Sequence, residues 1–221
     1  MDFFFDSAIA EAAPGLEVIV VEAAISNPPT SEALWGEIED ECARIKSSYA
    51  IEEIRHRPGI AGTRDAYKAL GKEPNRYRPS TEALCRRAVK GMELYRTLTA
   101  IDLINLLSMR SGYSIGGFDA DKISGNALTL GVGRHEEPYE GIGRGLLNIE
   151  AMPVVRDSLG GIGTPTSDNE RTKLSPDTRR LLMTVHIYRP EMEVAEFKAL
   201  AERLLRSYAK AEDVTFTHHR P

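Results

Sequence analysis

Hydrophobic positions in this chain follow two rhythms, a helical one early and a strand-like one late. An early exception is LEVIVVEAAIS (Leu16–Ser26), whose β-branched run predicts a buried strand. PTSEALWGEIEDECARIKSSY (Pro29–Tyr49) then predicts a helix. Pro29 and Ser31 suit its start, and Leu34, Ile38, Cys42 and Ile45 share one face. Residues Arg55–Pro79 mix glycine and proline breaks, and only a short helical piece is expected there, near Asp65–Leu70. RPSTEALCRRAVKGM predicts another helix. Pro79 and Ser80 open it, Glu82 sits in the first turn, Arg86, Arg87 and Lys90 come late, and Gly91 ends it. LTAIDLINLLSMRSGY is apolar nearly all round, which predicts a buried helix stopped by Gly112.

From Ser114 to Tyr188 the apolar runs shorten and glycines separate them: SIGGFD, NALTLGVG, MPVVRD, IGTPT and RRLLMTVHIY. That spacing predicts a set of short strands. An amphipathic helix follows, with Val194, Phe197, Leu200, Leu204 and Tyr208 on its apolar face, and DVTFTHH alternates like an edge strand. Helices first, strands next and a closing helix imply a mixed α+β domain and no regular βαβ repeat. We expect one domain over residues 1–221, with a helix-rich part at 1–75, a core at 76–188 and a terminal helix and strand at 189–221.

Composition narrows the class. The chain has 221 residues, enough for one substantial core, and a formal net charge of −5. A strongly basic total, the mark of many nucleic-acid binders, is absent, although a local basic patch would suffice. Cys42 and Cys85 are the only cysteines and form neither a disulfide framework nor a zinc motif. The opening MDFFFDSAIAEAAPG lacks the basic start of a signal peptide, and no apolar run is long enough to span a membrane. A cytoplasmic protein is expected.

Several residues are candidates for chemistry. Asp102 and Asn105 lie three apart on the buried helix, either as a satisfied polar pair or as a pocket wall. GGFDADKISGN offers Gly116 and Gly117 for close backbone approach. Its acids lack the remaining features of a calcium loop, so Asp119 reads as a turn or helix cap. Gly160, Gly161 and Gly163 form neither a dinucleotide motif nor a P-loop, but such a turn can offer N–H groups to a carbonyl oxygen. Basic residues cluster twice, at Arg76, Arg78, Arg86, Arg87 and Lys90, and at Arg171, Lys173, Arg179 and Arg180. Both suit a solvated face or a phosphate backbone. The five histidines show no HExxH pattern, and no GxSxG occurs. These residues alone define a polar pocket without a reaction, and no metal or cofactor is expected.

Four blocks in order, RYRPSTEALCRR, IDLINLLSMRSGYSIGGFDADKISG, VVRDSLGG and NERTKLSPDTRRLL, cover about half the chain. Together they resemble the B3/B4 domain of the phenylalanyl-tRNA synthetase β subunit, and more closely the stand-alone B3/B4 proteins. The resemblance implies a β-sandwich-type core of unusual topology flanked by helices. It also implies an editing site that hydrolyses misacylated tRNA, with Glu170 and Asn105 as the catalytic positions. Gly116, Asp119, Gly160, Gly161 and Thr164 would surround the aminoacyl group, while Arg76, Arg78, Arg86, Arg87 and Arg171 would hold the tRNA acceptor end. Two positions depart from the family. Its threonine before the asparagine is Ile104 here, and its histidine before the AFD-like triplet is Gly116, so tyrosine specificity is not carried over. A chain of this length leaves no room for the ligase modules of a synthetase. The expectation is a trans-acting aminoacyl-tRNA deacylase, and the alternative is a non-catalytic module that binds RNA or an amino acid.

Overall fold

A computed structural model describes residues 1–221. Its strands are β1 (Asp2–Phe5), β2 (Glu17–Ala24), β3 (Ser114–Asp119), β4 (Ala127–Val132), β5 (Glu140–Gly141), β6 (Gly145–Leu146), β7 (Pro153–Arg156), β8 (Gly161–Gly163), β9 (Arg180–Ile187) and β10 (Glu212–His219). Its helices are α1 (Ser7–Ala12), α2 (Glu32–Ser48), α3 (Pro58–Ala69), α4 (Ser80–Val89), α5 (Thr99–Ser111) and α6 (Val194–Ala209).

Strand β2 sets the architecture, because both of its faces are apolar and buried: Val18 and Val20 on one, Ile19 and Val21 on the other. A strand of this kind needs cover on each side. It lies in an antiparallel sheet of order β10-β2-β9-β3. One face of that sheet meets a second sheet, of order β1-β4-β7-β8, in which only the β1–β4 pairing is parallel. Phe3, Val18, Val20, Phe118, Leu130, Val155 and Leu182 fill the space between the two sheets. Against the other face pack α2, α5 and α6, through Leu34, Ile38, Leu103, Leu107, Phe197 and Leu204. The result is three layers, a sandwich with helices on one side. The mixed α+β class and the helix-flanked sandwich follow the expectation.

Two glycines set the spacing of the sandwich. A Cβ at Gly116 would meet Phe118 Cζ at 2.7 Å, and one at Gly163 would meet the same atom at 2.6 Å. The Phe118 ring thus fits between bare backbones from both sheets.

Most elements lie where the spacing predicted. Ser31 caps α2 by accepting the Leu34 N–H, and Leu34, Ile38 and Ile45 are buried. Cys42 is only half-buried, and Glu41 is buried instead. Helix α5 ends at Gly112, whose φ of +73° is left-handed and whose Cβ would fall on the Glu191 carboxylate. β10 is an edge strand, as its alternation implied.

The largest difference is α3, which spans Pro58–Ala69 where only a short piece was expected. Its glycines allow close packing instead of breaking the helix. A Cβ at Gly59 would lie 2.6 Å from the Gly112 carbonyl oxygen, and one at Gly62 would lie 2.8 Å from the Arg189 nitrogen. Pro58 stands in the first turn of α3, where its missing N–H matters least. The apolar opening segment forms β1, and the β5–β6 hairpin had no counterpart in the sequence reading. No helix is long and apolar enough to cross a membrane.

A buried ion pair locks α3 to α5. Arg57 is 3% exposed and donates to Glu191 at 2.7 Å and to the Met109 carbonyl at 2.8 Å, a carbonyl in the last turn of α5. Glu191 also accepts the Gly59 N–H at 3.0 Å. Removing Arg57 leaves the Met109 carbonyl without its donor and the partly exposed Glu191 carboxylate with only the Gly59 N–H. Arg57→Met is therefore expected to lower the unfolding free energy by about 1–3 kcal/mol, read as a shift of the urea midpoint at unchanged slope.

Candidate functional site

β3 lies at the edge of the helix-covered sheet, so backbone groups on its free side lack a strand partner. The Gly117 N–H there donates to Asp168 Oδ2 at 3.0 Å. Asp168 belongs to the Thr164–Asn169 loop that follows β8, and short bonds hold that loop. Thr164 Oγ1 accepts the N–H groups of Thr166 and Ser167 at 3.2 and 3.1 Å. Tyr139 donates its hydroxyl to the Ser167 carbonyl at 2.8 Å, and the Tyr67 and Thr166 hydroxyls pair at 2.9 Å.

Between this loop, the β3 edge and α5 opens a cleft of about 680 Å³. Ile104 and Asn105 of α5 and Gly117 of β3 line one side, and Thr164, Thr166 and Asp168 the other. The β5–β6 hairpin adds Ile142, Gly143 and Arg144, while Tyr95 and Lys173 also line it. Gly117 lets Ile104 pack close: a Cβ there would lie 2.3 Å from Ile104 Cδ1, and the isoleucine tip would have to shift. The Ile104 side chain thus occupies the space that the missing side chain leaves.

The electrostatics single out Asp168. Burial pushes its carboxyl up to about 7, against the lowering effect of the Gly117 N–H. A carboxyl poised near neutrality in a cleft is the usual form of a general acid or base. Glu170 is the reverse case. Its hydrogen bond from Lys173 holds its carboxyl below the ordinary range. It also accepts the Gly143 N–H at 3.4 Å, so it braces the hairpin beside the cleft and is not among the side chains lining it.

Of the residues singled out in the sequence, the structure brings Asn105 and Thr164 together in the cleft. Gly116 points the other way, into a small enclosed space between the sheets. Asp119 is buried as a cap: it accepts the Thr178 hydroxyl at 2.8 Å and the Asp121 N–H at 3.3 Å. Gly160 lies in the β7–β8 turn and Gly161 opens β8, and neither lines the cleft. The Leu159 and Gly160 N–H groups there are taken by Asp157 at 3.0 and 3.2 Å. Asp102, three residues from Asn105, is fully satisfied by the Thr30 hydroxyl and by the Thr97 N–H and hydroxyl.

The arginines are mostly engaged within the protein. Arg171 grips Asp157 with two bonds of 2.8 Å. Arg78 and Arg86 flank the buried Glu82 at 3.4 and 4.0 Å. Arg76 lies over Tyr77 at 5.4 Å. Arg87 donates to the Glu93 carbonyl and lies 4.7 Å from the centre of the Tyr95 ring, beside the cleft. Sequence reasoning missed Asp168 and Arg144, and it offered Gly117 only as a place of close backbone approach. Asp168 was visible only as one more polar residue two positions before Glu170. Arg144 sat in EGIGRG, a glycine-spaced hairpin with no recognisable motif.

A family model described as the B3/4 domain matches residues 62–211. A search of curated proteins gives no match. Among solved structures, the chain is similar to an N-terminal fragment of the phenylalanyl-tRNA synthetase beta-subunit from Pyrococcus horikoshii, with a TM-score of 0.50 and 11% identity. The match covers 100% of this chain and 54% of that one, so this chain spans about half the length of that structure. At this identity the likeness concerns the fold.

The Asp168 carboxyl gives a pH test. Its folded value, about 7, lies above its ordinary 3.8, so the folded state holds this proton more tightly than the unfolded chain between those limits. Its stabilising effect is complete below about pH 4 and lost as pH rises through 7. Asp168→Asn keeps an acceptor for Gly117 and cannot ionise. The variant is expected to gain thermal stability relative to the parent as pH rises from about 4 to 8, as measured by calorimetry.

Proposed function

Because the chain belongs to the B3/4 domain family, we propose that its cleft receives an aminoacyl group carried on the acceptor end of a tRNA and hydrolyses the ester. The observation that carries this reading is that Asp168, whose carboxyl burial raises toward neutrality, lines the same cleft as Asn105. An aminoacyl ester is already activated, so its hydrolysis needs little beyond a positioned water, a base and a donor for the oxyanion. In this reading ionised Asp168 takes a proton from water as the water oxygen bonds to the ester carbon. The Asn105 amide donates to the oxygen that becomes negative, and Asp168 returns the proton to the departing ribose oxygen. Ile104 gives the aminoacyl side chain an apolar contact. Glu170, the position that the resemblance singles out, acts from the rim by fixing the hairpin and offering a carboxylate to the substrate amine.

The RNA end has partners of the right chemistry. Arg144 lines the cleft and is absent from the ion pairs of the protein, and Lys173 is beside it. Tyr95 is 75% exposed, which leaves a ring face for stacking on the terminal base, with Arg87 behind it. The likeness to a phenylalanyl-tRNA synthetase beta-subunit fragment supports an aminoacyl-tRNA over other esters.

The test is a panel of aminoacyl-tRNAs, correctly charged and mischarged, incubated with the protein. At least one ester should be cleaved, with kcat/KM rising through about pH 7 as Asp168 ionises. Asp168→Asn should lower kcat by about a hundredfold or more, and Glu170→Ala should weaken turnover. An inactive protein across the whole panel overturns the hydrolase reading. Salt-dependent RNA binding without turnover would then select the non-catalytic module.

A further inference from the structure

Behind the cleft, on the opposite face of β3, lies an enclosed space of about 10 Å³ between the two sheets. Its lining includes Ser114, Gly116, Thr164, Asp168, Thr184 and His186. Asp168 therefore borders both spaces, with the cleft in front of it and the chamber behind. The geometry points to a single water in that chamber, hydrogen-bonded to His186 and to Asp168, that makes His186 the positioning residue for the Asp168 carboxyl.

Three observations lead there. The first is size, since a space of this volume admits about one water, provided that polar groups surround it. The second is an unpaired nitrogen. His186 is 6% exposed, and its Nε2 pairs with the Thr184 hydroxyl at 3.0 Å, while its Nδ1 has no partner in the protein. A buried ring nitrogen left bare is costly, and a water is the remaining source of a bond. The third is Asp168, where only Oδ2 takes the Gly117 N–H and Oδ1 is left to bond elsewhere. Gly116 keeps the chamber open, because a Cβ there would intrude on Phe118 and come within 3.2 Å of the Thr184 hydroxyl. In the β3–β9 register, Gly116 pairs with Thr184 and Ser114 with His186, so one glycine and one imidazole on adjacent strands build the space.

The ionisable surroundings fit a shared water. Burial favours the neutral form of both groups, raising the Asp168 carboxyl and lowering the His186 ring to about 4. The other titratable groups nearby are tyrosines: Tyr67 of α3, Tyr139 ahead of β5, and Tyr188, stacked on His186 at 6.3 Å. Burial holds each phenol well above its usual range. No lysine or arginine lines the chamber, and Arg144 stands on the cleft side. A water donating to the ionised carboxylate from behind lowers its basicity and fixes its orientation toward the cleft.

This role for His186 rests on Asp168 acting on the ester, but its test does not require turnover. The Asp168 carboxyl is titrated by carbon-detected NMR in the parent chain and in His186→Phe and His186→Gln. His186→Phe should move the titration up by about one pKa unit, and His186→Gln, which keeps a polar group, should restore most of it. An unchanged titration in folded His186→Phe overturns the proposal. Should that variant fail to fold, a crystal structure of the parent chain that resolves ordered waters decides. One water bonded to both His186 Nδ1 and Asp168 is expected, and an empty chamber or a water touching only one of them overturns it. If the deacylation panel fails while these results hold, the chamber stands and only the ester reading falls.

Discussion

A sheet buried on both faces has nowhere to place a solvent-facing groove except along its edge. That constraint governs this protein. β2 and β9 are covered by the second sheet on one side and by α2, α5 and α6 on the other, and each has a strand neighbour along both edges to take its backbone hydrogen bonds. β10 closes one edge in the open, and β3 forms the other under α5. At β3 the free Gly117 N–H needs an acceptor, and the Thr164–Asn169 loop supplies Asp168. The cleft is the room left between that loop and the helix. Its most perturbed carboxyl is thus the same group that satisfies the sheet edge, and structural need and chemical potential coincide in one side chain.

The fold was legible wherever hydrophobic spacing was long and regular. α2, α5, β2, β3 and β9 all follow from their patterns, because burial on a known face leaves little choice of element. The reading faltered at α3, where Pro58, Gly59 and Gly62 look like punctuation. Local propensity disfavours glycine in a helix, but tertiary packing overrode it: the backbones that α3 touches leave no room for a Cβ. The β5–β6 hairpin was hidden for a different reason. Its strands are two residues each, too short to show a period.

The site was legible only in part. Asn105 could be found as a polar residue on an apolar helix, and the glycine pair at 116 and 117 announced a close approach. The sequence did not say which glycine faced which space. Alternation along β3 assigns Gly117 to the cleft and Gly116 to the sandwich interior, and that assignment depends on which face meets the helices. Asp168 lay among other acids and amides in TSDNERT, and only its position against the edge strand sets it apart. The basic residues show the opposite error. A cluster of arginines in sequence became a set of internal braces around Glu82 and Asp157, while Arg144, isolated in sequence, lines the cleft.

The pairing scheme also has a consequence for biosynthesis. β2 precedes both of its neighbours, β9 and β10, by most of the elements of the fold. β1 likewise pairs with β4 from beyond the whole helical segment. The apolar β2 stretch is therefore synthesised well before the strands that pair with it. Such topologies fold slowly and expose sticky surface while they wait. Val18–Val21 is thus the segment whose strand partners lie furthest along the chain.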